Sequence, residues 1–210
     1  MRRQFLKFCA LGILSAPWLM AHAAQLGRDY TELGEPINTD SGPKIEVTEF
    51  FWYGCPHCFA LEPSLNAWLK KLPKDVAFRR IPAVLNNSWA NAAKVWYTLK
   101  AMGVAQQYHD DFFNAVHLDG LNPQSEISIF NWAKKMGMNP QHFADTFNSF
   151  GVQSEVARAA QLVREAQITG VPTFMVNGRY LTSASLTGGE DGLFHTLDDL
   201  IVMVRHKRHD

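Results

Sequence analysis

The run Ile45-Glu46-Val47-Thr48-Glu49-Phe50-Phe51-Trp52 constrains this chain most, because it is a strand that empties almost directly into a helix. It is rich in β-branched and aromatic residues and apolar on both faces toward its C-terminal end, as a buried central strand should be. Tyr53-Gly54 turns the chain. From Pro56 to Lys71, Phe59, Leu61, Leu65, Trp68, Leu69 and Leu72 recur at near-helical spacing. Pro63 predicts a kink there, since it removes a backbone donor and crowds the preceding turn. Val76–Ile81 reads as a second strand. Two strands joined by a crossover helix pair in parallel, so the chain starts as an α/β unit.

Helical patterns fill the stretch from about Asn87 to Ile168. Asn87 or Ser88 suits the cap of a helix ending at Gly103, and another helix spans Ala105–His117. Ser125 suits the cap of the next, with Lys134-Lys135 near its end and Gly137 just past it. Asn139-Pro140 pairs a capping residue with proline at the first helical position. Val152, Val156, Ala159, Ala160 and Val163 form an apolar stripe on a last helix expected to stop near Gly170. Strands then return. Thr173–Val176, Asn177-Gly178 and Arg179-Tyr180-Leu181 read as a hairpin, because Asn-Gly tolerates the two positive φ angles of a type I′ turn. Leu193, Phe194, Leu197, Leu200, Ile201 and Val204 mark a closing amphipathic helix. Trp89, Trp96, Phe112, Phe113 and Trp132 are expected in the core.

The chain begins as an export leader would. Arg2, Arg3 and Lys7 precede the apolar run Phe8–Met20, and Ala21-His22-Ala23 is a small-x-small cleavage site, which makes Ala24 the expected first mature residue. The run is short of the roughly 20 residues that span a bilayer. Arg2-Arg3-Gln4-Phe5-Leu6-Lys7 also resembles a twin-arginine signal, and both export routes stay open. The full chain carries 20 basic and 20 acidic residues. Loss of the leader removes three basic residues and leaves a net charge of −3, which argues against nucleic-acid binding. Loss of Cys9 leaves only Cys55 and Cys58. One C-x-x-C in an exported chain is no disulfide scaffold, so these are expected to be working thiols.

Cys55-Pro56-His57-Cys58 falls where strand becomes helix. Pro56 fits the first helical position, which puts Cys55 at the N-cap, facing unpaired backbone N–H groups and the positive end of the helix dipole. Both favour the thiolate, the attacking species. Cys58, one turn in, suits the resolving role. A charged or hydrogen-bonded His57 would lower the Cys55 pKa further, each unit contributing about 1.4 kcal/mol. A stabilised thiolate stabilises the reduced protein, so the pair should give its disulfide away and oxidise its clients. An inert local disulfide and half of a zinc site are the competing readings, but no second C-x-x-C or paired-histidine spacing completes a metal site.

Two further features accompany the motif. Pro172 stands at a strand start, where proline lacks a ladder donor. A cis Val171–Pro172 bond beside the cysteines would free the Val171 backbone for an extended client, whereas a trans proline in an ordinary loop fits the sequence equally well. Glu49 lies in the buried strand, where a carboxylate is costly unless paired or protonated. It is a candidate proton carrier for thiol exchange, opposite Arg80, or else a strand-end charge that reaches solvent. His109, His117, His142, His195, His206 and His209 read as surface or structural residues.

Thr48-Glu49-Phe50-Phe51 leading into Cys55-Pro56-His57-Cys58, followed by Gly170-Val171-Pro172 and Val176-Asn177-Gly178, resembles the DsbA family of bacterial periplasmic disulfide-donating proteins over nearly the whole mature chain. The resemblance implies an α/β thioredoxin fold, a mixed central sheet flanked by helices, with an inserted all-helical domain. The expected organisation is a signal peptide at 1–23, a thioredoxin-like domain from 24–82 and 168–210, and a helical insertion at 83–167. The implied roles are Cys55 as nucleophile, Cys58 as resolving thiol, His57 as thiolate stabiliser, cis Pro172 with Val171 before it at the client site, and Glu49 as the buried acid. Arg80 stands where the family often has lysine. Implied partners are newly exported, unfolded proteins and a membrane DsbB-type, quinone-linked reoxidant. No metal or other cofactor is expected, and a monomer is the default. A periplasmic isomerase or reductase, a non-catalytic peptide-binding module and a thiol-based metal carrier are the alternatives.

Overall fold

A computed structural model of the chain describes residues 23–208, so the expected leader lies outside the described residues except for Ala23. Strand β2 (Ile45–Phe51) is buried along all seven of its residues. Helix α1 (Pro56–Leu69) follows and runs through Pro63. Strand β3 (Val76–Pro82) then returns parallel to β2, with Glu49 opposite Arg80 in the register. A five-stranded mixed sheet forms in the order β1-β5-β4-β2-β3. Its other members are β1 (Thr31–Glu32), β4 (Thr173–Val176) and β5 (Tyr180–Thr182), and β4 runs antiparallel to β2.

The hairpin between β4 and β5 turns on Asn177 (φ 51°) and Gly178 (φ 68°), both in the left-handed region that the Asn-Gly pair predicts. Gly178 is also fixed by proximity. A Cβ there would lie 1.9 Å from the carbonyl oxygen of Ile37, which receives no side chain at that distance. Helices α7 (Ala184–Thr187) and α8 (Glu190–Lys207) close the chain.

Five helices separate β3 from β4: α2 (Ala90–Ala101), α3 (Ala105–His117), α4 (Glu126–Lys135), α5 (Pro140–Phe147) and α6 (Phe150–Glu165). Ser125 and Asn139 accept backbone N–H groups as N-caps, as their positions predict. Two boundaries differ from the sequence expectation. Asn86, not Asn87 or Ser88, makes the capping bond, and a short 3₁₀ turn (Asn87–Trp89) precedes α2. Helix α6 ends at Glu165 rather than near Gly170, because Gln167 takes a left-handed φ of 53° and Ile168 N–H bonds back to Val163.

Among the described residues, the buried ones form two apolar clusters. One joins α1 and α8 to the sheet through Leu61, Leu65, Trp68, Phe174, Leu193 and Leu197. The other joins the inserted helices to the end of β2 and the start of α1, and it includes Phe51, Tyr53, Cys55, Cys58, Phe112 and Phe113. The cysteines thus lie where the helical segment meets the sheet. Among the described residues, no helix is long and apolar enough to cross a membrane.

Candidate functional site

Cys55 is the N-cap of α1, with extended backbone (φ −87°, ψ 117°) and Pro56 in the first helical turn. Its Sγ accepts the Cys58 N–H at 3.4 Å, so an orphan helix donor points at the sulfur. Cys55 is 7% exposed and Cys58 fully buried, and the two thiols are not joined. These surroundings split the two acidities. The hydrogen bond from the Cys58 thiol is the largest influence on Cys55. The Cys58 and His57 backbone N–H groups and the His57 charge add to it, and together they bring Cys55 down to about 6 against the opposing effect of burial. Cys58 goes the other way: burial, then the neighbouring Cys55 and the Glu49 charge, push its thiol well above the ordinary range. One sulfur is a thiolate at neutral pH and its neighbour keeps its proton.

His57 is exposed and acts on Cys55 mainly through its backbone N–H, with its charge the weakest influence. The approach to Cys55 is shaped by the preceding turn. The Tyr53 carbonyl accepts from His117 Nε2 at 2.8 Å, and that imidazole stacks on Phe59. Trp52 stacks on Trp89 with ring centroids 4.1 Å apart. Its ring also lies over Gly54, where a Cβ would sit 2.4 Å from it, so residue 54 has no room for a side chain.

The Val171–Pro172 bond is cis, and the Val171 carbonyl faces Cys55 Sγ at 3.4 Å. An open groove of about 690 Å³ runs from there, lined by His57, Val171, Pro172, Leu181, Leu186 and Thr31 among others. Sequence elements over a hundred residues apart, the C-x-x-C and the loop before β4, therefore meet at one sulfur.

Glu49 has no exposed surface. Its Oε2 faces Arg80 Nε at 3.1 Å, but the pair is not aligned as a hydrogen bond. Burial pushes the Glu49 carboxyl up to about 8, outweighing the attraction of Arg80. Arg80 also reaches Glu62, where Nη2 donates to Oε2 at 2.9 Å. Glu62 continues to His109 Nε2 at 3.1 Å, and His109 Nδ1 meets the Tyr53 hydroxyl at 2.9 Å. Glu62 and His109 belong to this buried cluster although neither stands out in sequence: one resembles a charge on an amphipathic helix, the other a scattered histidine. Glu62, His109 and Asp110 bring three potential metal-binding atoms within 4.8 Å of one another. Both Glu62 oxygens are already engaged by a guanidinium and an imidazole, which does not suit a cation.

Residues 46–198 match the family model described as a DSBA-like thioredoxin domain. The thiol:disulfide interchange protein DsbA of Azotobacter vinelandii is 39% identical over 181 residues, covering 86% of this chain and 85% of that one. The protein of the same name from Bordetella parapertussis is 37% identical over 204 residues, covering 96% and 97%. Among solved structures, Pseudomonas aeruginosa DsbA superposes with a TM-score of 0.83 at 35% identity, covering 88% of this chain and 96% of that one. The oxidoreductase DsbA of Xylella fastidiosa superposes with a TM-score of 0.82 at 30% identity, covering 88% and 100%.

Proposed function

Because the chain belongs to the DSBA-like thioredoxin-domain family and is a thiol:disulfide oxidoreductase, we propose that it works as an oxidant, passing a Cys55–Cys58 disulfide to exported proteins as they fold. The observation that carries this reading is Cys55 at the N-cap of α1, its Sγ accepting the Cys58 N–H at 3.4 Å beside a fully buried Cys58, a geometry that lowers the Cys55 thiol to about 6 and pushes that of Cys58 up. A client thiolate attacks Cys55 Sγ, the Cys55–Cys58 bond breaks, and Cys58 leaves with the electron pair. Cys58 takes a proton, which the protonated Glu49 carboxyl is poised to supply. A second thiolate of the same client attacks the client sulfur of the mixed disulfide, and the bond from that sulfur to Cys55 Sγ breaks. Cys55 then leaves as a stabilised thiolate, and the client has been oxidised by two electrons.

In this reading 24–82 and 168–210 form the redox unit and 83–167 its helical insert. Val171 offers its backbone to an extended client, and Pro172 and His57 flank it in the groove. The working compartment is the periplasm, reached after cleavage near Ala23. The reduced pair is re-oxidised by a membrane DsbB-type, quinone-linked partner, and the protein acts as a monomer. The experiment mixes oxidised protein, as residues 24–210, with an equimolar, reduced, unstructured two-cysteine peptide at pH 7. The expected result is nearly complete transfer of the disulfide to the peptide, read by mass. A peptide left mainly reduced at equilibrium overturns the oxidant reading.

A further inference from the structure

Two buried carboxylates, Glu49 on β2 and Glu62 on α1, share one guanidinium, that of Arg80 on β3. A buried set with one cation holds one carboxylate charge at little cost, so the second carboxyl keeps a proton. The surroundings of the two acids are unequal. Glu62 accepts two aligned hydrogen bonds, from Arg80 Nη2 at 2.9 Å and His109 Nε2 at 3.1 Å, one on each oxygen. Among the described residues, neither oxygen of Glu49 accepts an aligned hydrogen bond. An ionised carboxylate is stabilised by the donors it receives, and an ionised, fully buried carboxylate without them is costly.

His109, on α3 of the inserted helices, supplies the deciding donor. It is 4% exposed and enclosed by the rings of Phe51, Trp96 and Phe113. Its Nδ1 faces the Tyr53 hydroxyl at 2.9 Å. A neutral imidazole that accepts the Tyr53 O–H at Nδ1 carries its hydrogen on Nε2, the atom that meets Glu62. Burial, reinforced by the Arg80 charge, holds the His109 pKa below its ordinary value, which keeps the ring neutral.

We propose that His109 is a positioning residue for the exchange reaction: its Nε2–H keeps Glu62 ionised and so leaves the proton of the buried pair on Glu49, the acid beside the cysteines. The directions of the two acids agree, with Glu62 below the usual carboxylate range and Glu49 above it. The charged and titratable groups around the pair are Arg80 on β3, Cys55 and Cys58 at the head of α1, Tyr53 after β2, and His109 and Asp110 on α3. The inserted helices thereby reach the buried acids beside the cysteines through the His109 donor. This inference rests on the proposed oxidant chemistry only for its purpose; the placement of the proton is a separate matter.

The test is carbon-13 NMR of the glutamate side-chain carboxyls in the oxidised protein, titrated without client so that no thiol titrates. The wild type is expected to show Glu49 titrating above the usual carboxylate range, raised by burial, with Glu62 below it. His109→Leu removes the donor, and Glu49 should move down by about one pH unit, tenfold in acidity, while Glu62 moves up. His109→Gln keeps an amide donor for Glu62 and an acceptor for Tyr53 without a titrating ring, and should leave Glu49 near the wild-type value. An unmoved Glu49 in a folded His109→Leu protein overturns the proposal, as does a wild type in which Glu62 is the acid that titrates high. If His109→Leu does not fold, His109→Gln decides, since a Glu49 shifted down by a full unit there also overturns it. A protein that places its proton on Glu49 but fails to oxidise a peptide would sink the oxidant reading alone.

Discussion

Replacing Cys55 with Ser is expected to reduce thiol–disulfide exchange to the uncatalysed rate while leaving the fold intact. With its pKa near 6, Cys55 is about nine-tenths thiolate at pH 7, against about one part in a hundred for a thiol at the ordinary value. Serine has no comparable acidity and forms no disulfide. Its oxygen can still accept the Cys58 N–H at the head of α1, so the cap survives. Cys58→Ser should behave differently: Cys55 still captures clients, but the mixed disulfide persists because no neighbouring thiol resolves it. Exchange rates with a model disulfide and mass analysis of trapped adducts check both. A Cys55→Ser protein that retains its full effect on client folding would mark a peptide-binding module instead.

The second large effect is a pH-dependent advantage of the reduced form. Cys55 is lowered from an ordinary 9.0 to about 6, so its contribution is complete above pH 9, shrinks as the pH falls toward 6 and vanishes below it. Relative to the oxidised protein, the reduced protein should therefore gain stability with rising pH across this window, by at most about 1.4 kcal/mol per pH unit and less where solvent screens the sulfur. Glu49 works in the opposite sense. Its carboxyl is raised from 4.5 to about 8, so its contribution is complete below 4.5 and is lost as the pH rises toward 8. That loss, set mainly by burial, occurs in both redox states; the Cys55 thiolate raises Glu49 further only in the reduced protein, which takes back part of the gain. Cys58, raised above its ordinary 9.0, enters only at higher pH. Denaturant melts of both forms at pH 6, 7, 8 and 9 check this. A flat difference would mean that the Cys55 thiolate is not stabilised by the fold.

Much of this architecture can be read from single residues whose backbone chemistry leaves few choices. Pro56 fits the first turn of a helix, and that puts Cys55 at the cap where its sulfur meets free N–H groups. Asn177-Gly178 dictates a tight hairpin, and Ser125 and Asn139 mark helix starts. Other features depend on tertiary partners. Strand β1 has two residues, too few for an alternation to register, and exists because Thr31 and Glu32 pair with β5. Glu62 and His109 lie 47 positions apart, and only the packing of α1 against α3 brings them together. The Trp52–Trp89 stack likewise needs the turn after β2 and the loop after β3 to converge. The cysteines announce their chemistry through local sequence, whereas the groups that govern protons around them are assembled by the fold.

If the protein works as the proposed oxidant, it prefers its reduced state because the fold stabilises the Cys55 thiolate. Equilibrating residues 24–210 with glutathione buffers of graded redox poise, and reading the fraction of Cys55–Cys58 disulfide, measures that preference. A pair that stays reduced even in fairly oxidising buffer is the expected result. A pair that holds its disulfide as tightly as a thioredoxin would contradict the account and make the protein a reductant in need of an electron source.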